Sequence, residues 1–318
     1  MTGADLSSAL RRAVRRLVII LPALWIVVTV VFLLIHLVPG DPIVLMLGEG
    51  ASSADIAALR HSYGMDRPLG EQYFGYWRGL GRGDLGRSLR LHDSVWHLIA
   101  QRYPYTLALT VAAMLLGAGI AIPAGVAAAQ RRGRWPDRVL SFGSLVGLSL
   151  PNFALGPVLI LLVSIKFGWL PVSGAGVGPV DFLQHLVLPA VTLGLGVAAI
   201  LTRMVRSAML EELGQEYIRT ARAKGLPERT VVYRHALRNA LTPILTVLGL
   251  QFGSLLAGAI VTETIFGWPG LGRLTLSAVS NRDYPLVQGC ILAIGVTYVI
   301  VNFCTDSMYA VADPRTRR

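Results

Sequence analysis

The sequence predicts an all-α, polytopic membrane protein, on three observations. The 318 residues are 53% hydrophobic and only 15% charged, with a mean hydropathy of +0.58. Several apolar runs reach the roughly 20 residues that a helix needs to cross a bilayer. The polar segments between them divide into a strongly basic set and a balanced set, as loops on two sides of a membrane do. A soluble chain of this length would hold one or two domains, and the apolar runs exclude that.

In chain order, Arg11, Arg12, Arg15 and Arg16 precede an apolar run from Leu17 to Val38. A charged start before an apolar run also describes a signal peptide. This run is too long for a signal core, and no small-residue cleavage site follows, so it is expected to stay as the first span. His36 is expected at its interface. Pro39-Gly40-Asp41-Pro42 forbids continuation of the helix. The largest hydrophilic insert follows, and residues 40–104 carry seven Arg against seven acidic side chains. Within it, SADIAALRHSYGM has helical spacing, with Ser53 placed to cap and Ile56, Leu59 and Tyr63 on one face. Gly81-Arg82-Gly83-Asp84 lacks the Walker pattern and reads as a turn.

Thr106–Ala128 is the second expected span, and its Pro123 is tolerable in a membrane helix. The loop Gln130–Arg138 holds four Arg and one Asp. The third span runs from Val139 to about Ile165. Ser149-Leu150-Pro151-Asn152-Phe153 is expected to kink it and bring a polar amide to membrane depth. Lys166 snorkels from its end. Gly168–His185, with Trp169, two Pro and several Gly, reads as an interfacial connector. Leu186 to about Thr202 is the fourth span, where Gly194 and Gly196 permit close helix contact. Leu241–Val261 is the fifth, and Val287 to about Tyr309 the sixth. Asp306, about one turn from the inner boundary, is expected to meet water or an arginine. Asn152, Gln251 and Ser254 are polar residues inside apolar spans. They are candidates to line a pathway, although Asn152 equally suits a bond to a neighbouring helix.

Charge orients the chain. One set of connecting segments carries 19 of the 29 Lys and Arg and a net +11; the other set carries the remaining 10 and a net charge of zero. By the positive-inside rule the basic set, with both termini, is cytoplasmic. The basic balance therefore reflects topology, and no nucleic-acid partner follows from it. Cys290 and Cys304 lie in one predicted helix, about 21 Å apart at 1.5 Å per residue, which excludes a disulfide between them.

The longest basic stretch between two spans is Glu216 to Pro243. From Met209, the residues Leu210, Leu213, Tyr217 and Ala221 fall three and four apart, as on one helical face. Gly225 sits at a helix stop, behind Lys224. Pro227 and Glu228 suit the start of a second helix, which places Val232, Ala236 and Ala240 on one side. The residues alone allow three readings: a solvated basic loop, a DNA-binding helix-turn-helix, or a docking element for a soluble partner.

TARAKGLPERTVVYRHALRNALTP resembles the EAA loop of ABC importer permeases, closest to the dipeptide/oligopeptide/nickel branch. PGDP, DRPLGEQYFGYW, GDLGRS, RYPYTLAL and the segment Glu263–Gly272 resemble the external regions of the same family. Here the core reads Arg-Thr-Ala-Arg-Ala-Lys-Gly, with no Glu before the alanines, so no acidic anchor is carried over. The resemblance implies a type I ABC importer (MetI-like) permease fold with six transmembrane helices. It divides the chain into an N-terminal cytoplasmic segment with the first helix (1–38), an extracytoplasmic insert (39–104) and a five-helix core (105–318). The cytoplasmic coupling loop would span about 205–240. Arg219, Ala221, Ala223, Lys224, Gly225 and Leu226 would contact the ATPase. The implied partners are a second homologous permease, two ATP-binding subunits that hold ATP and Mg, an extracytoplasmic substrate-binding protein and the lipid bilayer. The implied membrane is a bacterial inner membrane. Dipeptides or oligopeptides are the expected cargo, with nickel chelates or glutathione as alternatives.

No catalytic or metal site is expected. Walker A, HExxH and GxSxG patterns are missing from the sequence, and His92 and His97 are five apart, which misses the spacing for a shared metal. The chain is thus expected to hold no cofactor and no ATPase site of its own. Two other classes fit the spans: an ion-coupled secondary transporter, which would need ionisable groups at the midplane, and a membrane scaffold that uses the basic loop to dock.

Overall fold

The computed structural model describes residues 21–33, 43–44, 52–62 and 64–312. The four N-terminal arginines, His36, the Pro39–Pro42 stop, both ends of the predicted first span and the tail from Asp313 lie outside them. The helices are α1 Leu21–Leu33, α2 Ser53–Ser62, α3 Leu69–Gly81, α4 Val95–Gln130, α5 Trp135–Ser149 and α6 Asn152–Leu159, which continues as a π-helical stretch Ile160–Lys166. Then come α7 Pro179–Leu213 and α8 Glu216–Ala223. Helix α9 opens with Glu228–Thr230, passes through π-helical Val231–Ala236 and continues as Leu237–Ile265. Helices α10 Leu271–Ser280 and α11 Tyr284–Ala312 complete the fold.

Among the described residues, four helices are long and apolar enough to cross a membrane: α4, α7, Glu228–Leu256 of α9 and Tyr284–Thr305 of α11. The pair α5–α6 makes a fifth if counted as one broken span. It is bent by 99°, far more than the expected kink. Leu150 and Pro151 are both extended, and Pro151 cannot donate the backbone bond that would carry α5 onward. The predicted first span is described only over α1, a shorter apolar helix.

The chain forms two compact units. One comprises Met1–Pro104 and Gly270–Ile300. Its core joins Val95 and Ile99 of α4 to Leu271 and Ala278 of α10 and to Leu286 and Cys290 of α11. This packing explains why α4 starts at Val95, well before the predicted Thr106. Burial of Val95 and Ile99 draws the preceding residues into the helix, and Pro104 is absorbed within it. Phe32 of α1 stacks edge-on to Tyr73 of α3 at 5.2 Å, and the Tyr73 hydroxyl meets Thr29 at 2.8 Å. The cap of α2 is Ser52, whose hydroxyl accepts the Asp55 N–H at 3.1 Å; the expected cap Ser53 is the first helical residue.

The second unit comprises Tyr105–Pro269 and Val301–Arg318. Helix α7 is its centre, with 67% of its most apolar window buried, and it packs against α5, α6 and α9. Its contact with α4 depends on glycine. A Cβ on Gly117 would lie 2.7 Å from Val197 and 3.0 Å from the Gly194 carbonyl; one on Gly125 would lie 2.6 Å from Val205 and 2.9 Å from the Thr202 carbonyl. Small residues at this spacing let two membrane helices approach backbone to backbone. Gly194 takes part as expected, its Cβ position 3.0 Å from the Ala113 carbonyl.

Candidate coupling surface and pathway cavity

The basic stretch folds as two helical arms around a glycine turn, with one change from the expected pattern. Helix α7 ends at Leu213, and Gly214 and Gln215 separate it from α8. The predicted single face Leu210–Leu213–Tyr217–Ala221 is therefore split between two helices. In α8 the inward residues are Ile218 and Ala221, at 0% and 8% exposure, while Tyr217 stays 38% exposed. Glycine, with the weakest helix preference after proline, is the local cause of the break.

The arm ends as predicted. Gly225 has φ +75°, and its N–H donates to the Arg222 carbonyl at 2.9 Å while the Leu226 N–H donates to Ala221 at 3.3 Å. This is the left-handed helix stop that glycine adopts without strain. Arg222 clamps the turn from outside, donating to both Glu228 carboxylate oxygens at 2.7 and 3.1 Å. Val232, Ala236 and Ala240, the predicted inner face of the second arm, are 0%, 0% and 1% exposed. That arm is no separate helix: it runs directly into the fifth span as α9.

One apolar cluster seats the loop. Ile218 and Ala221 of α8 and Val231, Val232 and Ala236 of α9 meet Val205 and Met209 of α7 and Val126 of α4. The Tyr217 hydroxyl donates to Glu212 and accepts from the Asn239 amide at 2.9 Å. Partial burial, then the Glu212 carboxylate, push this phenol up to about 12, so it is a neutral donor at physiological pH. Of the six predicted contact residues, Arg219, Ala223, Lys224, Gly225 and Leu226 are exposed, whereas Ala221 is buried and holds the helix from within. Nothing lies within 4 Å of where a Gly225 side chain would begin.

Nearby, Asp137 of α5 is 4% exposed and receives Arg206 of α7 through two bonds of 2.6 and 2.9 Å. The Gly133 N–H at 2.9 Å and the Ser141 hydroxyl at 3.3 Å complete its shell. This pair was not anticipated, although Asp137 is the one acid in a loop of four arginines.

The three polar residues picked from the spans line one cavity of about 350 Å³. Its wall includes Leu150, Pro151 and Asn152 at the α5–α6 break, Leu193, Gly196 and Ile200 of α7, and Gln251, Ser254 and Gly258 of α9. The volume lies in the range of small-ligand sites. Among the described residues, none that lines it is ionisable. Gly196 faces Asn152, whose Oδ1 lies 3.5 Å from its Cβ position, and a Cβ on Gly258 would meet nothing within 4 Å. Asn152 thus turns toward the cavity, held there by the helix break.

Two buried carboxylates escaped sequence reasoning. Glu263, at 0% exposure, accepts the Thr106 hydroxyl at 2.6 Å, near Trp268, whose indole donates to the Tyr105 carbonyl at 3.0 Å. Asp283, at 1% exposure, accepts the Ser88 hydroxyl, the Leu89 N–H at 3.1 Å and the Arg90 N–H at 3.3 Å. Glu263 follows the fifth apolar run and Asp283 precedes the sixth, but the buried partner of each lies more than 150 residues away in sequence. Among the described residues no group of three His, Cys, Asp or Glu side chains is arranged to hold a metal.

Comparison with known proteins matches residues 121–318 to the binding-protein-dependent transport system inner membrane component, and residues 9–110 to the N-terminal part of such membrane components. The Di/tripeptide transport system permease protein DppB of Pseudomonas aeruginosa (strain UCBPP-PA14) is 44% identical, over 95% of this chain and 97% of that one. The Glutathione transport system permease protein GsiC of Escherichia coli (strain K12) is 42% identical, over 97% and 99%. An inward-facing structure of the MetNI methionine ABC transporter shares the fold, with a TM-score of 0.58 at 20% identity over 68% of this chain and 96% of that one. Apolar helices, basic loop and full-length relatives agree: the chain is a multi-pass inner-membrane permease subunit, and it belongs to the binding-protein-dependent transport system inner membrane component family of ABC importers.

Proposed function

We propose that this chain is one half of the translocation pathway of an ATP-driven importer of short peptides. The observation that carries the reading is the cavity in which Asn152, Gln251 and Ser254 converge without an ionisable neighbour. Two amides and a hydroxyl both donate and accept, which suits the repeated N–H and C=O of a peptide backbone and leaves side-chain selection to the binding protein. Relatives named for di/tripeptide and glutathione transport support the same cargo class, and glutathione is the narrower alternative.

In this reading a second, similar permease completes the pathway. Two ATPase subunits, carrying ATP and Mg, dock on the cytoplasmic face, where both termini lie, and an extracytoplasmic binding protein delivers cargo to the other side. The exposed residues Arg219, Ala223, Lys224, Gly225 and Leu226 touch the ATPase, and Ala221 keeps α8 seated. Closure of the ATPases on ATP pushes the loop as a rigid lever, and α7 and α9, which are continuous with it or share its core, carry the motion to the cavity. Segments 1–38, 39–104 and 105–318 act as anchor, external insert and pathway core.

The test is co-purification of the tagged chain in mild detergent, followed by reconstitution with a peptide-loaded binding protein. A second permease, ATPases and binding-protein-stimulated peptide uptake are expected. A chain that purifies alone and moves solute down an ion gradient refutes the reading.

A further inference from the structure

We propose that the turn between α4 and α5 is a binding site for the headgroup of an anionic phospholipid. The turn carries Arg131, Arg132, Arg134 and Arg138, all exposed, and one acid, Asp137. Asp137 points inward: it is 4% exposed and committed to Arg206 at 2.6 and 2.9 Å. The turn's only negative charge is thus neutralised inside the protein, and four exposed arginines remain within one short stretch of chain. Gly133, at φ +77°, lies in the turn between the two helices, with Arg131 and Arg132 before it and Arg134 and Arg138 after it.

What lies beside them distinguishes a bilayer from a soluble partner. Trp135 is 74% exposed directly among the arginines, and Val139, Phe142 and Val146 continue one exposed stripe down α5 at 56%, 68% and 42%. Their three- and four-residue spacing keeps them on one helical face. Basic side chains, then an indole, then an apolar stripe is the order in which a lipid presents phosphate, interface and acyl chain. Guanidinium groups bind phosphate oxygens in pairs. The orientation proposed above places the site in the inner leaflet; the lipid chemistry itself does not depend on cargo or on the coupling role.

The intact importer in neutral detergent is titrated with dioctanoyl phosphatidylglycerol and, separately, with dioctanoyl phosphatidylcholine. Trp135 fluorescence is the readout, isolated by subtracting the Trp135→Phe protein. A surface Lys or Arg contributes about five-fold to anionic-lipid affinity (roughly 1 kcal/mol), so Arg131→Gln/Arg132→Gln/Arg134→Gln should raise the phosphatidylglycerol half-saturation about 100-fold. The same three positions changed to Lys should stay within a few-fold of wild type, which controls for folding. Equal response to both lipids in the wild type overturns the proposal. So does an unchanged triple-Gln protein, or one that sheds its ATPase or sister permease while keeping its lipid, since the cluster would then be a protein contact.

Discussion

Replacing Gly225 by Val separates backbone conformation from packing in the proposed lever. The wild-type turn sits at φ +75° and is closed by the Gly225–Arg222 and Leu226–Ala221 hydrogen bonds. A residue with a Cβ pays about 1–2 kcal/mol in the left-handed region, and a β-branched one more. No atom lies within 4 Å of the new Cβ, so the Cβ itself adds no clash to this strain. Two backbone hydrogen bonds contribute about 0.5–1.5 kcal/mol each, so the strain is comparable to what holds the turn. A loss of 1–2 kcal/mol shifts the turn's population by roughly 5- to 30-fold, while the buried cluster beneath α8 is untouched. The assay is peptide uptake and ATP hydrolysis by the reconstituted importer, with thermal unfolding alongside. Gly225→Val should lower uptake at least about ten-fold and move the unfolding midpoint by no more than a few °C. Gly225→Asn, which tolerates the left-handed region, should keep most of the uptake. Normal transport by the Val protein would refute a role for the turn. Equal failure of Asn and Val would show that the partner has no room for a side chain there, and that backbone strain is not the cause.

Three further outcomes test other parts of the structure. Gly258→Leu should fold as well as wild type, because its Cβ meets nothing and leucine improves helix preference by up to about 1 kcal/mol; peptide uptake should nevertheless fall sharply as the side chain fills the cavity. Asp137→Asn leaves Arg206 without its counter-charge and should lower stability by about 2–4 kcal/mol, the lower side because Arg206 is 31% exposed; a thermal melt reads it, and Asp137→Leu with Arg206→Met should recover part of the loss. Gly117→Leu forces atoms to 3.0 Å from a backbone carbonyl, which cannot yield as a side-chain tip can; it should abolish folded protein on size-exclusion chromatography, whereas Gly119→Leu, with nothing within 4 Å, should be tolerated.

Much of this was legible because local chemistry decided it. The left-handed stop at Gly225 follows from a glycine after a basic last turn, and the inner face Val232–Ala236–Ala240 follows from helical spacing alone. The cavity residues were also legible, since Asn152, Gln251 and Ser254 stand out as polar groups within apolar runs. The failures have two causes. Where α4 begins and which face α8 buries depend on partners distant in sequence: Val95 and Ile99 against α10 and α11, and Ile218 against α7 and α9. The break after α7 is local, at Gly214, and was passed over because the apolar spacing runs across it.

The sequence by itself determined the class of molecule, the register of its apolar runs, the division of its loops into a basic and a balanced set, and the place of the glycine turn at Gly225. These follow from composition and from periods of three and four residues, which neighbours along the chain impose on each other. Only the tertiary structure decided that Ala221 faces inward, that Asp137 is buried against Arg206 and turned away from the four arginines beside it in sequence, and that three scattered polar residues share one cavity. A buried charge or a shared wall is made by segments that meet after folding, through a 99° break at Pro151 and glycine contacts between α4 and α7, and no local pattern encodes which segments those will be.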